Sequence, residues 1–341
     1  MLAREETDAV VAWLSSAGLG DAPWTVEPLA GGTQNLMVRA MAPDRRVVVR
    51  SGPRHLRRGS NAAIEREIRV LGALATTDVP HPRLLATAPA DGVLPGRVVY
   101  AMAEVPGVNV ATGVSPAQEA DAGLRHGFGP AMVDALAALH AVDVEAVGLG
   151  DVGNPQGFLA RQVPRWRDEL ARYREVDGYP GFGDDTADVA DWLERHRPES
   201  GPPALAHGDY HLANVLFDPD GATVTAIVDW EMATVADPLL DLGWLLATWP
   251  VSGTNLGWAP VDGLAGEDEL VARYAQLTGT DPAVVPWYAV LACFKLGVLL
   301  EGTHARACAG KAPQDVGARM HASARSLIDQ ARRRIAQAQS R

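Results

Sequence analysis

Residues 205–242 read LAHGDYHLANVLFDPDGATVTAIVDWEMATVADPLLDL, and two polar clusters stand out, each set against an apolar run. The first is His207-Gly208-Asp209, with Asn214 five residues after the Asp. The second is Asp229-Trp230-Glu231, directly behind Thr225-Ala226-Ile227-Val228. Between them, Asp218-Pro219-Asp220-Gly221 is a turn signal flanked by two short apolar runs. The local reading is loop, strand, tight turn, strand, loop, which brings Asn214 and Asp229 side by side. His207 reads as a brace for its loop. Further on, Asp237 and Asp241 look structural; Asp241 opens an apolar helical run that it can cap, or from which it can hydrogen-bond the preceding loop.

Hard oxygen donors at that spacing suit magnesium, which takes one or two carboxylates and completes its shell with phosphate oxygens and water. Asp229 offers a carboxylate and Asn214 an amide oxygen. Asp209 is left to orient a substrate hydroxyl and accept its proton. An Asp, an Asn five residues on and a second Asp beyond a hairpin form the catalytic layout of protein kinases. Here the first cluster reads HGDxxxxN and the second DWE. In both respects the chain resembles the aminoglycoside phosphotransferase family of small-molecule kinases. Within it, the chain is most similar to the broad subgroup that includes the kinase-like domains attached to some acyl-CoA dehydrogenases.

The resemblance implies an α+β, bilobal protein-kinase-like fold. A small antiparallel-sheet lobe would span residues 1–102. A mainly helical lobe, carrying the catalytic hairpin and the substrate pocket, would span 103–341. It also implies ATP or GTP as phosphoryl donor, magnesium as the metal and a small hydroxyl-bearing molecule as acceptor.

Working back from the hairpin, Trp24 to Leu29 and Leu36 to Ala40 read as strands around Ala30-Gly31-Gly32-Thr33-Gln34-Asn35. Inward-pointing amides and missing side chains let such a turn lie over phosphates, so Gly31, Gly32, Thr33 and Asn35 are candidate nucleotide contacts. No GxxxxGK[ST] occurs. Arg46 to Arg50 is the next strand. By resemblance, Arg50 takes the place of the lysine that touches the α- and β-phosphates, and Glu67, on a helix over 61–74, is its partner. Arg keeps the charge but presents a planar fork, not a point charge. Val98 to Met102 reads as a central strand, and Ala103 to Val105 match the hinge whose backbone holds the base.

Working forward, helices are expected over 117–141, 158–176, 186–195, 242–249, 267–278, 286–306 and 316–339, with a loop over 250–266. Core packing accounts for most of Trp244, Trp249, Trp258 and Trp287, with one or two left to wall a substrate pocket. His140 reads as a buried or capping histidine. Glu301, His304 and Arg306 read as a solvent-facing helix end, with a substrate-facing role as the alternative.

The bulk numbers agree with a globular protein, not a disordered one. At 341 residues, 47% of them apolar and 21% charged, the chain can pack two units. Two cysteines exclude a disulfide framework and fit a reducing cytoplasm. MLAREETDAV carries acids where a signal peptide has its apolar core, and Lys295 interrupts the most apolar late run, so no membrane span is expected. Residues 1–100 hold 12 Arg against 10 acids, whereas the rest holds 18 basic residues against 32. A mildly basic front suits a nucleotide, and an acidic back argues against nucleic acid. A regulatory pseudokinase shares the layout, with Arg50 in its favour. A protein kinase would need an Ala-Pro-Glu segment and an activation loop after Asp229, where this chain goes straight to Ala236-Asp237-Pro238.

Overall fold

Side chains alternate across a strand, so one β-strand can face two cores. β3 (Arg45–Ser51) does this between β2 (Leu36–Ala42) and β5 (Val99–Ala103), in a five-stranded antiparallel sheet of order β1-β2-β3-β5-β4, with β1 at Thr25–Pro28 and β4 at Leu84–Ala88. Val47 and Val49 pack with Val38, Val99 and Ala101 under Val10 and Leu14 of α1 (Arg4–Leu14). Val48, Tyr100 and Met102 point the other way, onto Ile64, Leu71 and Leu74 of α2 (Ser60–Leu74). Arg50 shares the parity of Val48 and therefore faces α2. The structure is a computed structural model and describes residues 2–21, 23–29, 35–56, 59–253 and 256–340.

The rest is mainly helical: α3 (Pro116–Ala120), α4 (Ala122–His140), α5 (Phe158–Arg174), α6 (Asp185–Arg195), α7 (Leu239–Thr248), α8 (Glu267–Thr278), α9 (Val285–Cys308) and α10 (Gln314–Gln339). α9 packs between α7 and α10. A Cβ at Gly243 would stand 2.5 Å from the Tyr288 backbone, so glycine there permits the close approach of α7 and α9. By length and composition α9 could cross a membrane, but most of it is buried inside the fold.

The chain thus has the expected bilobal α+β architecture. The central hairpin is β7 (Val215–Phe217) and β8 (Val224–Ile227). Two details differ from the sequence expectation. The helix over 117–141 is broken at Asp121, whose carboxylate caps α4 by accepting from the Gly123 amide. A further pair, β6 (Ala204–Ala206) with β9 (Thr234–Ala236), brackets the hairpin; strands of three residues are too short to show periodicity.

Candidate active site

β6 delivers the chain to His207 and Gly208. Gly208 has φ +84°, and a Cβ there would lie 2.4 Å from the Met232 carbonyl oxygen, so the turn requires glycine. Asp241, in the first turn of α7 and 1% exposed, holds the loop from below. Its carboxylate accepts from the His207 amide at 2.6 Å and the Gly208 amide at 2.8 Å. His140 Nε2 stands 3.3 Å from the same carboxylate, while its Nδ1 meets the Tyr274 hydroxyl at 2.7 Å. Burial by itself would raise the Asp241 carboxyl; the His140 hydrogen bond and the charges of His140 and His207 outweigh it and hold it low. His207 Nε2 reaches the Val228 carbonyl at 3.0 Å, bracing the first polar cluster against the second.

Asp209 sits among donors. The Trp244 indole N–H donates to Oδ1 at 2.9 Å, and His211 Nε2 stands 3.3 Å from the same oxygen. Asn214 Nδ2 donates to the Asp209 carbonyl at 2.9 Å and to Oδ2 at 3.2 Å. Burial pushes the Asp209 carboxyl up, but the His211 hydrogen bond, with the charges of His211, His207 and Lys295, holds it well below the usual carboxylate range. The Val228 amide bonds the Asn214 carbonyl at 2.9 Å, so the hairpin places Asp229 next to Asn214. Asp229 has φ +69°, a left-handed conformation uncommon for a residue with a Cβ. Asn214 uses its amide nitrogen on Asp209, which leaves its side-chain oxygen out of those bonds, and Asn214 and Asp229 line the same cavity. Those hard oxygen donors fit a divalent cation such as magnesium.

Against Asp229 lies a buried ionic cluster. Arg50 and Glu67 are 5% and 1% exposed. Arg50 Nε is 3.2 Å from Glu67 Oε2, and its Nη2 is 2.7 Å from Asp229 Oδ1 and 3.1 Å from Glu231 Oε2. The expected Arg50–Glu67 pair therefore forms in the interior, not at the surface, and extends to two further carboxylates. Glu67 Oε1 also accepts from the Trp230 amide at 3.2 Å. Burial pushes the Glu67 carboxyl up to about 7 against the pull of Arg50, and Asp229 pushes the same way. Asn35 Nδ2 donates to Glu231 Oε2 at 2.6 Å. Gly31, Gly32 and Thr33 lie outside the described residues.

At the hinge, the Ala103 amide bonds the Arg83 carbonyl and the Glu104 amide the Arg46 carbonyl. The Ala103 carbonyl and the Val105 amide take no part in these bonds. All the described candidates (Asn35, Arg50, Glu67, Ala103, Val105, Asp209, Asn214 and Asp229) line one cavity of about 520 Å³.

Sequence reasoning gave no role to His211, Glu231, Trp244's contact with Asp209, or Lys295. His211 and Glu231 were signalled by their places inside the two clusters. Lys295, a lone cation in an apolar run, served only as an argument about membranes. Glu301 and His304 correct the other expectation. Glu301 is buried rather than in solvent; it accepts from the Tyr179 hydroxyl at 2.7 Å and lies 2.8 Å from His321 Nδ1. His304 packs against the His321 ring, so Glu301 and His304 face α10, whereas Arg306 is exposed as expected and bonds Thr303 on its own helix.

The sequence profile of the phosphotransferase enzyme family matches residues 25–288. Acyl-CoA dehydrogenase family member 10 of Mus musculus is 30% identical over 278 residues, 79% of this chain and 25% of that protein. Family member 11 of Rattus norvegicus is 29% identical over 256 residues, 71% of this chain and 31% of that one. The chain thus spans a quarter to a third of these relatives. Among solved structures, a Ralstonia eutropha protein named after the aminoglycoside phosphotransferases superposes with a TM-score of 0.75 at 30% identity, covering 96% of this chain and 98% of that one. The GDP complex of aminoglycoside 2'-phosphotransferase-IIIa has a TM-score of 0.66 at 16% identity, over 96% of this chain and 99% of that one.

Proposed function

Because the chain belongs to the phosphotransferase enzyme family, we propose that it moves the γ-phosphoryl group of ATP or GTP to a hydroxyl of a small molecule, with magnesium. The observation that carries this reading is that Asp209, Asn214 and Asp229 line one cavity together with the buried Arg50–Glu67 pair. The lobe boundary is placed between Met102 and Ala103, with the base against the Ala103 carbonyl and the Val105 amide. The two cysteines, both free, suit work on a cytoplasmic nucleotide pool.

Each residue then has a task. Asn214 and Asp229 would hold the cation, and a magnesium ion bound there would supply positive charge to offset the negative charge developing on the phosphoryl group. Arg50, fixed by Glu67, meets the α- and β-phosphates. Asp209 accepts a hydrogen bond from the acceptor hydroxyl and aims it in line with the γ-phosphorus. A carboxylate held below its ordinary range is a weak base, so Asp209 takes the proton late, as the phosphoryl–oxygen bond forms. That suits a loose transition state in which positioning outweighs proton abstraction.

A second reading is a nucleotide-binding pseudokinase, and the Arg50–Asp229 contact of 2.7 Å favours it, since the arginine competes for a carboxylate needed by the metal. Calorimetry of ATP and GTP binding with and without magnesium, followed by transfer assays on aminoglycosides, amino alcohols and hydroxy acids, separates the two. Magnesium-dependent binding with a phosphorylated product supports transfer. Binding without product across the panel supports the pseudokinase, and absence of nucleotide binding sinks both.

A further inference from the structure

The acceptor is open in the reading above, and a second cavity, of about 450 Å³, bears on it. Its wall carries three cations, Arg66, Arg165 and Lys295, and one acid, Asp241. That acid is already committed to the His207 and Gly208 amides and to His140. Among the described residues, neither Lys295 nor Arg165 forms an ion pair. Lys295 Nζ stands 4.4 Å from the Trp244 ring centroid, and the Arg165 guanidinium lies over Trp166. Arg66, among the described residues, gives its hydrogen bond to a backbone carbonyl, that of Glu231. Burial lowers the Lys295 ammonium pKa; the Asp209 and Asp241 carboxylates act against that, and the charge of Arg165 acts with it. Two like charges thus face one cavity, and among the described residues no carboxylate bonds either of them directly, in a chain whose net charge is −12. Desolvating the Lys295 ammonium costs free energy, and an anion in the cavity would offset part of it. Lys295 is also one of only two lysines against 28 arginines, set in a helix turn where leucine would pack at no such cost.

This cavity is coupled to the reaction centre by one side chain. Trp244 donates to Asp209 Oδ1 at 2.9 Å with its indole N–H and carries Lys295 over its ring. A molecule with its hydroxyl at Asp209 therefore has Lys295 within the reach of a small metabolite. We infer that the acceptor is anionic: a hydroxyl compound bearing a carboxylate or phosphate, with that group on Lys295 and Arg165 and its hydroxyl at Asp209. The inference rests on the phosphotransferase reading for the hydroxyl, and on the cavity alone for the anion. A polycationic acceptor would meet three like charges here.

The test pairs turnover with direct binding, using glycerate, glycerol phosphate, glycerol and kanamycin as probes on the full chain. The variants are Lys295→Gln, Lys295→Glu and Lys295→Arg, each checked for an unchanged nucleotide KM. The expected result is that glycerate or glycerol phosphate binds more tightly than glycerol and kanamycin. Lys295→Gln should then weaken that anion about tenfold to a hundredfold, the range of one charge-assisted contact. The loss should appear in KM more than in kcat, deepen in Lys295→Glu and be partly restored in Lys295→Arg. The better of the two anions tells carboxylate from phosphate. Preference for glycerol or kanamycin, or anion binding indifferent to Lys295→Gln, overturns the inference. Lys295-dependent anion binding with no turnover of any acceptor leaves the inference standing and counts against phosphoryl transfer.

Discussion

Arg50 and Asp229 lie far apart in the chain, yet Arg50 Nη2 stands 2.7 Å from Asp229 Oδ1. The strand pleat turns Arg50 toward α2, and the left-handed backbone at Asp229 turns that residue out of the hairpin to meet it. One buried guanidinium thereby ties the sheet, α2 and the β7–β8 hairpin together. Arg50→Met would strand three carboxylates and should destabilise the chain by about 3–5 kcal/mol, the cost of breaking a buried ion pair from one side. Arg50→Lys keeps the charge but cannot bridge all three partners, and should fall between. Urea unfolding of the three proteins measures this; an unchanged midpoint for Arg50→Met would refute the network's structural role.

Asp241 gives a prediction in pH. Its folded-state pKa is held below the ordinary carboxylate value. Its contribution to stability is therefore complete above that ordinary value, about 3.9, and is lost as pH falls through the folded-state value. Asp241→Asn should be clearly less stable than wild type at about pH 7, and the gap should narrow as the pH is taken below about 4. Denaturation midpoints across that range test the sign. A gap that widens in acid contradicts it.

Asp209 gives a prediction of a missing feature. Because its carboxyl is held well below the usual range, Asp209 stays ionised throughout the span in which the enzyme is folded. The pH profile of kcat/KM should then show no acid limb at the usual carboxylate pKa of about 4. A limb there that disappears in Asp209→Asn would mean that the donors around Asp209 do not act as described.

Gly208→Ala tests the loop itself. The added Cβ meets the Met232 carbonyl at 2.4 Å and must accept φ +84°. A loss of about 1–3 kcal/mol is expected from backbone strain alone, with kcat falling as the turn shifts Asp209. Wild-type stability together with wild-type kcat would show that the loop is not held as found.

Much of this was legible in the sequence. The Asp-Pro-Asp-Gly turn and its flanking apolar runs announced the hairpin, and the hairpin set Asn214 beside Asp229. Alternation in Val47-Val48-Val49-Arg50 already put Arg50 on the face of Val48. What stayed hidden depends on contacts between distant elements. Nothing near Lys295 says that α9 packs against α7 at Gly243 and so lays the lysine over Trp244. Nothing near Glu301 says that His321, a helix away, will bury it. β6 and β9 are too short to carry a pattern, and each is fixed by the other.

The central claim is that Asp209 positions the acceptor hydroxyl for transfer, and one measurement tests it most directly. Magnesium-dependent formation of phosphorylated product should be followed in wild type and Asp209→Asn, with nucleotide affinity measured alongside. The account predicts a fall in kcat of roughly 10²–10⁴, the range for loss of a positioned acid–base group, with nucleotide affinity little changed. Product formation at near wild-type rate in Asp209→Asn would contradict it.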